Sequence, residues 1–213
     1  MKNTLKTIGY ISIIPLLIGM LFFSNIKGYY RFKELCAEHK EIVVYEKLQP
    51  NVGWQTDKNG TKDRDNINEY LYFVPQISFF RFQNYDDRKL YDARFVGSHR
   101  MPYEKFDSHT RSDEESNELR DQGKYEHSLA NIEIKPIYQL ENFSETISNE
   151  TRMSRGGYRI RDLRTNKIVV SLEDIGYSTF DRNHTLLDAP SGNICRFAPS
   201  IYSTEVNHQI FAK

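Results

Sequence analysis

The chain has only two cysteines, Cys36 and Cys195, and they form no Cys-x-x-Cys pair. Two well separated cysteines cannot hold a structural zinc ion alone. The histidines, His39, His99, His109, His127, His184 and His208, include no His-Glu-x-x-His pair and no other close pair at metal-ligand spacing. Ser112, Ser154 and Ser191 lie in no Gly-x-Ser-x-Gly or Ser-x-x-Lys signature, and no motif singles out two carboxylates for glycan cleavage. Asp57-Lys-Asn-Gly60 fails as a calcium loop, because that register puts Gln55 first and Asn66 twelfth, where a carboxylate and a bidentate Glu are needed. Asp63, Asp65 and Glu69 remain near it only as scattered oxygen donors. These absences assign no catalytic residue, no cofactor-binding residue and no metal ligand, and they call for no cofactor. Net charge is lacking too: 29 basic and 29 acidic residues balance to +0. That excludes a general nucleic-acid binder, so nucleic acid is not among the expected partners.

One long uncharged run is present, from Ile8 to Ile26. At 1.5 Å per residue it reaches about 28 Å, close to the thickness of a bilayer's hydrocarbon core. Pro15 is tolerable there as a kink, and Tyr29 and Tyr30 fall where an interfacial aromatic belt belongs. Lys2 and Lys6 also suit the start of a secretory signal, but Phe23-Ser24-Asn25-Ile26-Lys27-Gly28 offers no Ala-x-Ala-like cleavage site. The expectation is therefore an uncleaved signal-anchor in a bacterial inner membrane: residues 1–7 a cytoplasmic tail, 8–26 a single-pass transmembrane helix, 27–40 a juxtamembrane helix, and 41–213 a β-rich domain in the periplasm. The inner membrane is then itself a partner. In an oxidising compartment Cys36 and Cys195 can pair, closing a loop worth roughly 4 to 5 kcal/mol in the chain-entropy model.

Tyr (14) and Phe (13) are plentiful, which suits strands with aromatic faces. Phe32, Leu35 and Cys36 have the i, i+3, i+4 spacing of a short amphipathic helix over Tyr30–His39. Glu41–Glu46 reads as a first strand and Asn51–Asn68 as loop. Tyr70–Phe82 reads as strand, with Pro75 marking a bulge, an edge or a break. Lys89–Val96 suits its hairpin partner, and Asp107–Glu126 is acidic and poor in aliphatics, a solvated loop or polar helix. Asn131–Leu140 reads as a strand through Ile132, Ile134 and Ile137. The clearest signal is a hairpin of Tyr158–Leu163 and Ile168–Leu172 around Thr165-Asn166-Lys167, with Asn166 or Lys167 left-handed. Short strands are expected at Ile194–Phe197 and Ile201–Val206. The expected fold is α+β and β-rich: one N-terminal transmembrane helix, then a mostly antiparallel sheet.

Arg152, Arg155, Arg159, Arg161, Arg164 and Lys167 crowd into one stretch whose sole acid is Asp162. They form a candidate interaction patch for phospholipid head groups, an acidic partner, or the acidic segment Asp107–Glu126. Phe32-Lys-Glu-Leu-Cys36 with Val43-Val-Tyr-Glu46, and Tyr158-Arg-Ile-Arg-Asp-Leu-Arg-Thr-Asn166 with Val169-Val170, resemble stretches of a group of small uncharacterised proteobacterial proteins anchored in the membrane of the envelope. The resemblance implies a bacterial envelope domain and no particular activity. The functional expectation is a non-catalytic protein-binding role toward an unknown envelope partner, as an accessory subunit of a complex or an immunity protein. The alternative is an envelope hydrolase using an unrecognised carboxylate or His site.

Overall fold

The structure is a computed structural model. It describes residues 23, 25–56, 64–98, 100, 102–103, 124–178, 192–195 and 199–212, without the side chains of residues 64–66. Helix α1 spans residues 25–38; α2 is Arg64–Phe73 and α3 is Thr204–Ile210. The strands are β1 Ile42–Val44, β2 Val52–Thr56, β3 Ile77–Gln83, β4 Leu90–Phe95, β5 Tyr125–Leu129, β6 Tyr138–Ser148, β7 Met153–Asp162, β8 Lys167–Ser178 and β9 Gly192–Cys195. They form one sheet in the order β1-β8-β7-β6-β2-β3-β4-β5, with β9 also paired to β8.

Two expectations are corrected here. The sheet is mixed, because β2 runs parallel to both of its neighbours, β3 and β6. Parallel neighbours need a crossover connection, and α2 supplies the one between β2 and β3. The transmembrane reading is also overturned: among the described residues no helix is long and apolar enough to cross a membrane. Helix α1 carries Lys27, Arg31, Lys33, Glu34 and Glu38, while α2 and α3, of 10 and 7 residues, fall well short of the roughly 20 apolar residues a span requires. The single-pass inner-membrane placement with a periplasmic domain thus loses its basis. Residues 8–22 and 24 of the expected anchor lie outside the described residues.

Contacts divide the chain into two compact units, and β6, β7 and β8 contribute residues to each. In the first, Phe32, Met153, Ile175, Tyr177 and Cys195 form a small core, with Leu35 and Cys36 packed against it. Phe32 stacks on Tyr177, whose hydroxyl donates to the Asn25 carbonyl at 2.8 Å. Cys36 and Cys195 stand at disulfide distance with Cα atoms 5.6 Å apart.

The second unit holds the main core. Trp54, on β2, is fully buried and meets Tyr138 edge-on at 5.7 Å between ring centroids. The ring of Phe79 lies where a side chain on Gly53 would stand, so β2 and β3 depend on glycine there. Helix α2 buries Ile67, Tyr70 and Leu71, and Val74 follows just past its end; this is the i, i+3, i+4, i+7 face of an amphipathic helix. The expected strand Tyr70–Phe82 is therefore the end of α2 followed by β3, with Pro75 in the turn between them. The expected loop Asn51–Asn68 contains β2, and Ile201–Val206 enters α3 rather than forming a strand. Ile132 and Ile134 lie in the turn before β6 rather than in the strand. The β7–β8 hairpin is present and longer than expected, with Asn166 left-handed at φ 56°. Leu48 brackets α3's exit, donating to the Ile210 carbonyl at 2.8 Å and accepting from Ala212 at 2.9 Å.

Candidate functional site

The arginine run is held by partners within the chain. In the second unit Arg161 grips Glu141 with two hydrogen bonds, 2.5 Å from Nε and 3.0 Å from Nη2. Arg159 lies over the Phe143 ring, 3.6 Å from its centroid, and pairs with Glu173 at 3.6 Å. Arg164 binds Asp162 at 2.6 Å and reaches Gln49 at 3.2 Å. In the first unit Arg155 pairs with Glu145 at 2.9 Å, and Arg152 donates to the Ser178 carbonyl at 3.0 Å and to Asn25. Lys167 is exposed. Alternation along β6 and β7 sets Glu141, Phe143 and Glu145 beside Arg161, Arg159 and Arg155, so these three have cross-strand partners, while the Arg155 and Arg164 side chains stay 41% and 47% exposed. Most of the acidic segment Asp107–Glu126, and Asp57 to Asp63 of the failed calcium loop, lie outside the described residues.

Sequence reasoning missed a cavity of about 350 Å³ in the second unit, walled by the end of α2, by Arg100, Pro102 and Tyr103, and by α3. Its aromatic side is Tyr72, Phe73 and Tyr103. Phe73 meets Tyr103 edge-on at 5.3 Å, and both pack against Tyr202. Its polar side includes Gln76, Arg100 and Asn207. Arg100 rests on the Phe95 ring at 4.3 Å, and desolvation pulls its guanidinium below the ordinary range against the opposing pull of Tyr125 and Tyr72. Asn207 donates from Nδ2 to the Ser203 carbonyl at 3.0 Å, which fixes which end of the amide is the acceptor. Gln76 Oε1, Arg100 Nε and Asn207 Oδ1 are all buried without a hydrogen-bond partner. These three atoms are inaccessible to a water-sized probe and so do not face the cavity, and an unsatisfied buried polar atom costs about 1–3 kcal/mol. Among the described residues His208 is the one histidine that lines it, and no carboxylate does. Among the described residues no three His, Cys, Asp or Glu side chains converge to hold a metal. The residues come from three distant segments, and spacing could not have joined them; the density of Tyr and Phe near 70–73, 103 and 202 is the only trace in the sequence.

The second feature is the outer edge of β5, which among the described residues pairs only with β4. Val96 N–H donates to the Lys124 carbonyl and Ala130 N–H to the Leu90 carbonyl, and the intervening register is regular. In an antiparallel ladder bonded and non-bonded pairs alternate. Glu126 and Ser128 therefore bond inward, while the N–H and C=O groups of Tyr125, His127 and Leu129 turn away from β4. The edge ends in exposed apolar side chains: Leu129 is 62% and Ile132 78% exposed, with Leu90 and Ile134 nearby in sequence and register.

No family model matches the chain, and neither a curated protein nor a solved structure matches it.

Proposed function

We propose that this chain is a non-catalytic protein-binding module, in the manner of an accessory subunit of a larger assembly or an immunity protein. The outer edge of β5, which among the described residues pairs only with β4, receives an extended segment of the partner. That edge is the observation that carries the reading: a run of outward-turned backbone groups ending at exposed Leu129 and Ile132. Strand addition gains main-chain hydrogen bonds, and apolar side chains at the end of the strand add burial.

Leu129→Pro tests this reading. It deletes one outward N–H and leaves the β4–β5 bonds intact, a placement that an edge strand tolerates. At native expression the wild-type chain should co-purify with a reproducible protein partner. Leu129→Pro should lose that partner while unfolding at nearly the wild-type temperature. Capture of nothing reproducible by the wild type, or equal capture by the variant, would end this assignment.

A further inference from the structure

We propose that the Cys36–Cys195 disulfide is a redox-controlled clasp: a dithiol reductant that opens it frees α1 and β9 and uncovers the apolar residues of β7 and β8 beneath them, while the second unit stays folded. The first unit's core is small, and Cys195 belongs to it. Of the four residues of β9, Cys195 alone is buried, so no other buried side chain holds that strand in place. In α1, Phe32 stacks on Tyr177 at 5.6 Å between ring centroids, and the Tyr177 hydroxyl and Arg152 both donate to Asn25 in the first turn. Cys36 anchors the last turn. The Lys27–Glu150 pair at 3.0 Å has side chains 55% and 75% exposed, and a pair so exposed adds little. A helix as short as α1 is marginal by itself, so it depends on staying docked.

Cys36 is half-buried and Cys195 only 7% exposed, so a thiolate of the reductant attacks Cys36 Sγ. The S–S bond breaks, a mixed disulfide forms on Cys36, and Cys195 leaves as a thiolate. The second thiol of the reductant then attacks the mixed disulfide and releases Cys36. The reductant departs as a disulfide, having passed two electrons to the protein, and the two protons its thiols give up end on the two cysteines. Undocking α1 exposes Phe32 and Leu35 on the helix and Met153, Ile175 and Tyr177 on the strands. The main core, with Trp54, Leu71, Phe80, Ile160 and Leu172, includes none of these residues and neither cysteine. The clasp also uses no residue of β5, so it and the proposed function can fail separately.

The test is amide hydrogen exchange of the full-length chain, oxidised and after treatment with dithiothreitol under native conditions, read by mass spectrometry. Reduction should speed exchange in residues 25–38 at least about tenfold and leave residues 77–83 and 167–172 as protected as before. It should also raise the fluorescence of 1-anilinonaphthalene-8-sulfonate, and reoxidation should reverse both changes. The double variant Cys36→Ser, Cys195→Ser should show the open pattern with no reductant and respond no further to it. A bond that dithiothreitol does not reduce in the native protein would overturn the inference. So would unchanged protection of residues 25–38 after reduction, or a loss of protection that extends through the second unit; these outcomes are read on the wild-type chain and need no variant to fold.

Discussion

Arg81 and Asp92 are both buried and meet side by side across β3 and β4, with hydrogen bonds of 2.7 and 2.9 Å. The same guanidinium donates to the Asn131 carbonyl at 2.7 Å, tying the turn after β5 to the middle of the sheet. Hydrogen bonding to Asp92 raises the Arg81 pKa above its ordinary value. Asp92→Ala leaves that cation buried without its partner and should cost about 3–5 kcal/mol in urea denaturation, whereas Arg81→Met with Asp92→Leu should recover much of the loss. Gly157 sits at φ +131°, and a Cβ there would run into the Leu172 carbonyl. Gly157→Ala should therefore destabilise by about 1–3 kcal/mol from backbone strain alone, read as a lowered denaturation midpoint. Asp162 gives a pH signature. Its hydrogen bonds from the Arg164 side chain and backbone hold its pKa below the usual carboxylate value despite burial. A group with a lowered folded pKa stabilises above its unfolded value of about 3.9, and the contribution fades as pH falls through the folded value. The stability gap between wild type and Asp162→Asn should be steady near neutral pH and shrink below a pH of about 4. A gap that widened in acid would contradict that role.

At the scale of elements, α1 is fastened to β9 by the Cys36–Cys195 pair, 159 residues apart in sequence. Removing the bond should cost roughly 4 to 5 kcal/mol in the chain-entropy model, and in a non-reducing gel Cys36→Ser should migrate differently from the wild type. Helix α1 was readable because Phe32, Leu35 and Cys36 keep helical spacing, and Phe32 is indeed buried while Leu35 and Cys36 pack against the same core. The β7–β8 hairpin was readable because β-branched residues flank a turn with Asn166 in a conformation that asparagine accepts. Helix α2 was not, because its first turn, Arg64 to Asn66, is as polar as a loop and its last, Tyr70 to Phe73, is as aromatic as a strand. The Ile67, Tyr70, Leu71, Val74 spacing followed by Pro75 was the better signal. β6 runs on through the mostly polar residues 142–148, where Arg155 pairs with Glu145 and Arg159 lies over Phe143, partners that no local pattern discloses. The cavity was illegible for the same reason: Gln76, Arg100 and Asn207 are isolated in sequence and line one cavity only after folding.

At the scale of the whole chain, a crossover through α2 makes β2 an interior parallel strand and carries the sheet outward through β3 and β4 to β5. The last strand in that order offers backbone groups with no described partner strand. Exposed edges invite pairing with another chain, and natural sheets ordinarily protect them. Partner binding at that edge is tested most directly by site-specific photo-crosslinking in intact cells. A photoreactive residue replacing the exposed Ser128 on β5 should form a discrete adduct with a partner protein at native expression. The same residue replacing Tyr45, 69% exposed just after β1, should form none. Adducts of the same kind from both positions, or from neither, would contradict a partner bound at the β5 edge.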